Sequence, residues 1–385
     1  MKIGLVSPYY MHRPGGVQTL LLLYKDALVK RGHDVSIIAP RPKPEFIEDT
    51  PKDVLLLGRS TEIKFRAPFH TTHPIARADK EEIDSFLRKN AFDVLNVHEP
   101  WMPMLPYQVV QAANCPVVGT LHARWPRSAV NRSLEKARGP YVRSVMRRLD
   151  VINASSSVSA QNAYDVDPDA EVLVTPNALS VSDFQKQINA SKTPGGSPYI
   201  LYLNRLEKRK GPMHLLRAYK AYCESYPSKE IRLIIAGTGP QEDRLKEYAA
   251  KHELDGVDFL GYVSDERKIE LFANASLYVS PAPYGESFGV VLIEAMAAGV
   301  PVVAGNNEGY QTVLKGEGAL SLVDPKDVSS FSERIHVMLN NDDVRRAWLN
   351  WATKDVLQYD TDKVVDLYEQ AYVKAINTWE AKSSK

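Results

Sequence analysis

Short apolar, β-branched runs alternate along most of this chain with amphipathic segments. Such runs predict buried strands, and an apolar period near 3.6 residues predicts helices. The predicted strands form two series: Ile3–Ser7, Asp34–Ala39, Val94–Val97, Val117–Leu121, Val151–Ala154 and Val172–Thr175, then Tyr199–Leu203, Arg232–Ala236, Val257–Phe259, Leu277–Ser280, Val300–Ala304 and Leu320–Val323. The predicted helices are Gln18–Lys30, Pro106–Ala113, Pro212–Tyr226, Gln241–His252, Ser264–Asn274 and Phe288–Ala298. Because strands separated by helices form parallel sheets, each series predicts one Rossmann-like α/β domain.

The domain organisation follows from where the strand series ends and begins again. We predict an N-terminal Rossmann-like domain over 1–184, a linker over 185–198 that is rich in Lys, Ser, Pro and Gly, and a C-terminal Rossmann-like domain over 199–360. A helical segment over 361–385 is expected to pack back on the N-terminal domain. Since ligands of such sheets bind beyond the carboxyl ends of the strands, we expect the two parallel sheets to face a central cleft that holds the functional residues.

Composition narrows the class of protein. The chain has 385 residues and a net charge of +1, so no nucleic-acid partner is expected. Cys115 and Cys223 match no metal-ligand spacing and suit a reducing compartment. The N-terminus enters a strand with no signal-peptide pattern, and no apolar run approaches the ~18 residues of a membrane span. We expect a cytoplasmic protein that is at most peripheral on the inner face of the cell membrane.

Two carboxylates bracket a turn and an apolar run. Glu286 falls in the turn after a strand, and Glu294 lies about six residues into the helix that we predict from Phe288, roughly 9 Å along its axis. The free N–H groups of a helix start favour an anion. Two carboxylates around an anion site suit a molecule with a phosphate in its middle, such as a nucleotide-sugar.

A basic loop follows the first strand of the second series. Asn204–Gly211 holds four cations within six positions. Arg clamps a phosphate with two hydrogen bonds, Lys acts as a mobile point charge, and such a pair stabilises a diphosphate leaving group. A charge run is more often a solvated loop, but its position at a strand end favours function.

Two weaker signals occur in the first domain. Gly15 and Gly16 separate a strand from a helix, so this turn either lets a backbone approach a phosphate or is a plain connection. The third glycine of a dinucleotide fingerprint is absent. His122 ends another strand; it either contacts a sugar hydroxyl or a developing charge, or is a structural histidine, which is the commoner case.

One segment concentrates positive charge. Arg124–Arg148 holds eight cations and a single acid, Glu135. An anionic membrane surface or an anionic acceptor would explain it, and a solvated helix face explains it about equally well. A surface that docks a protein or a nucleic acid is the third reading.

Together these motifs resemble the family 4 glycosyltransferases, which are retaining enzymes with the two-domain GT-B fold. The family motifs E-x-F-G…E, R-x4-K and the Gly-Gly loop are matched by Glu286, Phe288, Gly289 and Glu294, by Arg205 and Lys210, and by Gly15 and Gly16. Within the family the chain is most similar to phosphatidylinositol mannosyltransferases, through Ser7–Tyr9, Pro14–Gln18, Asp93–Pro100 and Gly285–Gly289.

The resemblance implies a role for each matching residue. The catalytic residues would be Glu286, His122, Arg205 and Lys210. The donor-binding residues would be Gly15, Gly16, Val263, Asp265, Lys268, Ser287, Phe288, Gly289, Val290 and Glu294. Tyr9 and Gln18 would lie on the acceptor side. No metal ion or other cofactor is expected besides the donor itself, a GDP-sugar or UDP-sugar.

The implied reaction is retaining transfer of a hexose, with mannose from GDP-mannose as the first choice, to a hydroxyl of a lipid or glycan. Retention proceeds through a covalent carboxylate intermediate or through front-face attack assisted by the leaving group, and we favour the second. A UDP-sugar-dependent enzyme acting on a soluble or cell-envelope glycan is the alternative. A nucleotide-sugar epimerase or hydrolase, and a non-catalytic nucleotide-sugar or membrane-binding module, are the other readings.

Overall fold

The computed structural model describes residues 1–13, 15–64, 72–125, 131–228 and 231–384. Its backbone forms two units. Unit 1 consists of Met1–Ala178 together with Thr361–Lys385, and unit 2 of Leu179–Asp360.

Unit 1 is built on a seven-stranded parallel sheet of order β3-β2-β1-β6-β7-β8-β9. Its strands are β1 (Lys2–Val6), β2 (Asp34–Pro40), β3 (Val54–Leu57), β4 (Arg59–Lys64), β5 (Thr72–Arg77), β6 (Val94–His98), β7 (Val117–Leu121), β8 (Val151–Ala154) and β9 (Val172–Val174). Its helices are α1 (Gly16–Lys30), α2 (Lys80–Asn90), α3 (Leu105–Ala112), α4 (Asn131–Met146) and α5 (Ser157–Tyr164), with a short 3-10 turn over Pro44–Phe46. Strands β4 and β5 form a separate antiparallel pair.

Unit 2 is built on a six-stranded parallel sheet of order β12-β11-β10-β13-β14-β15. Its strands are β10 (Tyr199–Leu203), β11 (Arg232–Ala236), β12 (Val257–Gly261), β13 (Leu277–Ser280), β14 (Val302–Gly305) and β15 (Leu322–Val323). Its helices are α6 (Val181–Ala190), α7 (Pro212–Ser225), α8 (Glu242–Lys251), α9 (Asp265–Asn274), α10 (Val290–Ala298), α11 (Glu308–Val313), α12 (Val328–Asn340) and α13 (Asp342–Asp355). Its 3-10 turns are Lys208–Lys210, Gly316–Ser321 and Val356–Tyr359.

The predicted α/β class with two parallel sheets is confirmed. All twelve predicted strands overlap strands of the structure, because the central strands of a parallel sheet are buried on both faces and read as continuous apolar runs. Strands β3, β4 and β5 were not predicted. The sequences of β4 and β5 are largely polar and contain no apolar run, which is why the hydrophobic pattern did not indicate them.

The linker prediction over 185–198 differs from the structure. Its residues 185–190 are the end of helix α6, whose Val181, Phe184 and Ile188 are buried in the core of unit 2. These apolar residues recur at the three- and four-residue spacing of one helix face. Because most residues between them are polar, the overall composition of the segment resembles that of a linker. The units accordingly divide at Ala178 rather than after residue 184.

The chain returns to unit 1 in helix α14 (Thr361–Ser383). Val365, Tyr368 and Tyr372 are buried against Tyr24 and the apolar residues of β1 and β2. Across the described helices, none combines the length and apolar character that crossing a bilayer requires.

The strand orders determine which loops are neighbours. In unit 1, β1, β6 and β7 are adjacent, so the loops after Val6, His98 and Leu121 share one edge of the sheet. In unit 2, β10 and β13 pair in parallel, so the loops after Leu203 and Ser280 are neighbours. The basic loop and the Glu286 loop, which lie more than seventy residues apart in sequence, are therefore brought together.

Candidate active site

In unit 2, the carboxylate of Glu286 joins the two loops. Its Oε1 lies 2.8 Å from Nζ of Lys210 and 3.1 Å from Nη1 of Arg209. Gly211 follows with a φ of +70°, and a Cβ there would overlap the carbonyl oxygen of Pro281. Glycine at this position lets the basic loop lie directly against the loop after β13.

A second carboxylate, that of Glu207, shares Arg209 with Glu286 and also contacts Arg205. Glu207 is only 3% exposed, and its oxygens lie 2.9 Å from Nη1 of Arg205 and 2.9 Å from Nε of Arg209. The loops after β10 and β13 thus share a network of two acids, Glu207 and Glu286, and three cations, with one positive charge in excess. The sequence motifs assign no role to Glu207 or Arg209. The only sequence feature that points to Glu207 is its position as the single acid among four cations.

The cations of this network are partly withdrawn from water. Burial lowers the pKa of Lys210, and the nearby carboxylate of Glu286 opposes that effect. Burial likewise lowers the pKa of Arg205, against the attraction of Glu207. A bound polyanion would relieve this penalty, since an opposite charge at close range favours the charged form of each group.

Helix α10 begins at Val290, two residues later than predicted. Gly289 has a φ of +114° and ends the turn, and a Cβ there would lie 2.8 Å from the ring of Tyr310. Phe288 is buried in the core with its ring edge-on to Tyr359. The first turn of α10 has no acidic residue, and no side chain among the described residues caps it, so the end of the helix that favours an anion is not neutralised.

Glu294 lies on α10 with its own cation. The carboxylate is buried and its Oε1 lies 3.0 Å from Nζ of Lys268. Burial acts to lower the pKa of Lys268, but the attraction of Glu294 and Asp265 outweighs it and the pKa is raised. Asp265 begins α9 with an exposed carboxylate 3.4 Å from Lys268. Val263 is half-buried against the core.

The predicted site residues are divided between the units. Unit 2 carries Arg205, Lys210, Val263, Asp265, Lys268, Glu286, Ser287, Phe288, Gly289, Val290 and Glu294, and unit 1 carries Tyr9, Gly15, Gly16, Gln18 and His122.

In unit 1, His122 contacts the end of the neighbouring strand β6. Its Nε2 lies 2.6 Å from Nδ1 of His98, and the two rings are stacked with centroids 4.9 Å apart. Burial lowers the pKa of His122 to about 4, partly offset by Asn177, so the ring is neutral at pH 7. Oε1 of Glu99 accepts hydrogen bonds from the backbone N–H groups of His122 and Ala123, at 2.8 and 3.0 Å.

The acceptor-side residues lie at the same edge of the unit 1 sheet. Burial, followed by the charge of Glu99, raises the pKa of the Tyr9 hydroxyl. Nε2 of Gln18 donates to the carbonyl of Tyr10 at 3.2 Å. Gly16 begins α1 in an exposed position with open space where a Cβ would stand, so a ligand has room there.

The basic segment Arg124–Arg148 is only partly described. Residues 126–130, and the side chains of 131–138, lie outside the described residues. Arg124 lies 4.0 Å from Asp165, Arg143 donates to the carbonyl of Val166, and Arg147 and Arg148 are exposed near the end of α4. The membrane contact therefore stays a prediction.

Within the described ranges, no group of three or more His, Cys, Asp and Glu side chains is arranged to hold a metal ion. The absence of a metal requirement stays a prediction.

Glu99 gives a testable pH dependence. Burial raises its pKa to about 7 from an ordinary 4.5. The unfolded chain therefore ionises first, and the native state loses stability as the pH rises from about 4.5 through 7. We expect the free energy of unfolding of wild type, relative to Glu99→Gln, to fall by about 3 kcal/mol between pH 4 and pH 8. Urea unfolding of both proteins at the two pH values measures this; an unchanged difference would contradict it.

The comparisons with known proteins decide the family. Residues 14–182 match the sequence model described as Glycosyltransferase Family 4, and residues 183–355 match Glycosyl transferases group 1. The phosphatidyl-myo-inositol mannosyltransferase of Mycolicibacterium smegmatis is 31% identical over 94% of this chain and 90% of its own. The chain belongs to the family 4 glycosyltransferases. The predicted family is thereby confirmed.

Solved structures agree with this family 4 glycosyltransferase in fold. A glycosyltransferase from Rickettsia africae superposes with a TM-score of 0.73 at 18% identity, over 97% of this chain and 98% of its own. Anabaena Alr3699/HepE in complex with UDP-glucose gives a TM-score of 0.66 at 18% identity, over the whole of both chains. These neighbours have the GT-B fold, as predicted.

Proposed function

We propose that this glycosyltransferase moves a hexose, namely mannose from GDP-mannose, to a hydroxyl of a lipid or glycan acceptor, with retention at the anomeric carbon and without a metal ion. One observation carries the donor side of this proposal. The loop after β10 presents Arg205 and Lys210, both partly withdrawn from water, beside a helix start that no side chain of the described residues caps.

Unit 2 supplies what a diphosphate leaving group needs. Negative charge grows on the leaving oxygens as the bond to the sugar breaks. Preorganised cations and helix N–H groups stabilise that charge without reorganising. The half-exposed guanidinium of Arg205 is held by Glu207, and the ammonium of Lys210 is oriented by Glu286. Both cations are therefore in place before the donor binds. In this proposal the two cations do the work that a divalent metal does in other transferases.

The contacts of Glu286 support front-face transfer. Its carboxylate is held by Lys210 and Arg209, and a carboxylate shared between two cations is a weak nucleophile. We assign Glu286 to the sugar hydroxyls. The new bond from the acceptor oxygen then forms on the face from which the diphosphate leaves, and the acceptor proton passes to a leaving phosphate oxygen.

The preference for GDP rests on Asp265. Its carboxylate is exposed at the start of α9, next to Lys268 and Glu294. Guanine presents two neighbouring N–H donors on one edge, which a carboxylate accepts together, whereas uracil presents a single N–H. Similarity to proteins named mannosyltransferases supports mannose as the sugar.

On the acceptor side, Tyr9 and Gln18 are the candidate contacts in unit 1. Exposed Arg147 and Arg148 at the end of α4 support a peripheral approach to an anionic membrane from the cytoplasmic side. A lipid acceptor would then be reached without a membrane-spanning helix.

A thermal-shift screen tests the donor. GDP-mannose is expected to raise the melting temperature more than UDP-glucose or UDP-N-acetylglucosamine, since binding to the native state stabilises it. Asp265→Asn is expected to reduce the GDP-mannose shift and to leave the UDP-sugar shifts unchanged. The exposed Asp255→Asn is the matched control. A larger shift with a UDP-sugar, or an unaltered GDP-mannose shift in Asp265→Asn, would contradict the assignment of the base.

A further inference from the structure

Residues 281–289, the Glu286 loop, connect β13 to α10 without forming a helix or a strand. Gly285 and Gly289 have φ values of +80° and +114°, so the loop turns twice at residues that resist bending least. The ion pairs of Glu286 hold the end of its side chain, but they do not by themselves fix the backbone from which that side chain projects. The position of the carboxylate therefore also depends on what holds the loop.

The start of helix α11, after the neighbouring strand β14, contacts the Glu286 loop at two points. Nδ2 of Asn307, the residue before the helix, donates to the carbonyl of Ala282 at 2.8 Å. A Cβ at Gly309 would overlap the carbonyl oxygen of Glu286, so the two backbones lie directly against each other. The helix start thus touches the loop near its beginning and again at Glu286.

Tyr310 contacts both ends of the same loop. Its hydroxyl lies 2.6 Å from Oγ of Ser280, the last residue of β13, and both side chains are buried. Its ring packs against Gly289, where the loop enters α10. Burial, followed by the charge of Glu286, raises the pKa of the Tyr310 hydroxyl, so the hydroxyl stays protonated and neutral at pH 7.

Asn307 connects these contacts to one another. Its Oδ1 accepts a hydrogen bond at 3.0 Å from the backbone N–H of Tyr310, which caps the six-residue helix α11. One carboxamide therefore anchors the loop through its nitrogen and orders the helix start through its oxygen. The two functions use different atoms, so a substitution can remove one and keep the other.

We propose that Asn307 and Tyr310 are positioning residues that hold the Glu286 loop in the geometry in which the Glu286 carboxylate meets the sugar. This inference rests on the proposed function, in which Glu286 binds the sugar hydroxyls. The two residues act through the loop rather than on the donor. A small displacement of a group that orients the substrate slows transfer strongly, so loss of either contact is expected to lower kcat.

Small substitutions remove one contact at a time. Tyr310→Phe removes the hydroxyl and keeps the ring. Asn307→Ser keeps an oxygen that can cap α11 but is too short to donate to Ala282. Tyr219→Phe is the matched control, because Tyr219 is also buried in unit 2 and its hydroxyl donates to the carbonyl of Ile231 at 2.7 Å, before the amino end of β11.

Two measurements distinguish positioning from a general structural role. Amide hydrogen exchange of the Glu286 loop, followed by mass spectrometry, reports how firmly the loop is held and needs no substrate. The kcat for sugar transfer is measured for each variant alone and combined with Glu286→Ala. Substitutions that act through the same group are not additive, whereas independent substitutions multiply their effects.

Tyr310→Phe and Asn307→Ser are each expected to speed hydrogen exchange in the loop and to lower kcat on the order of 5- to 20-fold. Combined with Glu286→Ala, each is expected to change kcat by less than about twofold. Tyr219→Phe is expected to alter neither quantity. Unchanged loop exchange in both variants, or an equal fold loss of kcat with and without Glu286, would overturn the proposal.

The two proposals fail differently in these experiments. Absence of sugar transfer by wild type would refute the proposed function, while the exchange data would still show whether Asn307 and Tyr310 hold the loop. Equal losses of kcat in both backgrounds, in an enzyme that transfers mannose, would refute the positioning role alone.

Discussion

Glu286→Ala is expected to lower kcat for sugar transfer on the order of 10²- to 10³-fold while GDP still binds. The loss follows because the carboxylate is assigned to sugar hydroxyls whose orientation decides the rate of transfer. Nucleotide affinity persists because the same substitution frees Lys210 and Arg209 from their acidic partner, leaving more positive charge for the diphosphate. Consumption of GDP-mannose followed by NMR, and GDP titration by calorimetry, measure the two effects.

The matched control for this substitution is Glu317→Ala. Glu317 is an exposed glutamate of unit 2 in the 3-10 turn after α11, so its removal is expected to leave kcat unchanged. Survival of normal turnover in Glu286→Ala would show that the site is wrongly assigned. Trapping of a covalent glycosyl adduct on Glu286 would instead replace front-face attack by a double displacement.

Lys210→Ala is expected to lower kcat by a similar 10²- to 10³-fold, and in addition to weaken GDP binding. Unlike Glu286, Lys210 is assigned to the leaving group itself, and its ammonium is oriented by a carboxylate 2.8 Å away. The substitution also leaves Glu286 near the diphosphate with one fewer compensating cation, which opposes binding. Initial rates of GDP release and calorimetric titration give both quantities.

The neighbouring Lys208 provides the comparison for Lys210. It lies in the same 3-10 turn with an exposed side chain. If the loop acted only by its overall charge, Lys208→Ala and Lys210→Ala would reduce GDP affinity equally. A large effect at Lys210 with little at Lys208 is the outcome that a specific diphosphate contact requires.

Much of the donor site was readable in the sequence because its motifs are local. Glu286 and Glu294 lie within nine residues, and the basic loop follows directly after one strand. Their ion pairs were not predictable, since these depend on β10 and β13 being neighbours in the sheet. Glu207 was passed over for the same reason: a carboxylate among cations has no evident role until its burial and its partners are known.

Two errors have simpler physical causes. The linker prediction over 185–198 relied on polar composition, whereas Phe184 and Ile188 anchor helix α6 through one narrow apolar face. Helix α10 begins at Val290 because Gly289 adopts a positive φ, which ends the turn one residue after the buried Phe288. In both cases tertiary packing decided a boundary that local sequence left open.

The contacts that His98 and Glu99 make with His122 could not be predicted from the sequence alone. His98 and Glu99 follow a buried strand and look like ordinary polar residues at a sheet edge. Only the parallel pairing of β6 with β7 brings them to His122, more than twenty residues away. A lone histidine at a strand end thus becomes one member of a fixed pair.

The central claim is retaining transfer from GDP-mannose at a site that includes Glu286. The most direct test follows GDP-mannose turnover by the wild-type enzyme with NMR. With water in place of the acceptor and enough enzyme for release to be faster than mutarotation, turnover yields free mannose whose first anomer can be identified. Retention predicts that α-mannose appears first, together with GDP, at a rate that requires Glu286. β-Mannose appearing first, or no turnover of GDP-mannose above the rate in buffer, would contradict the account.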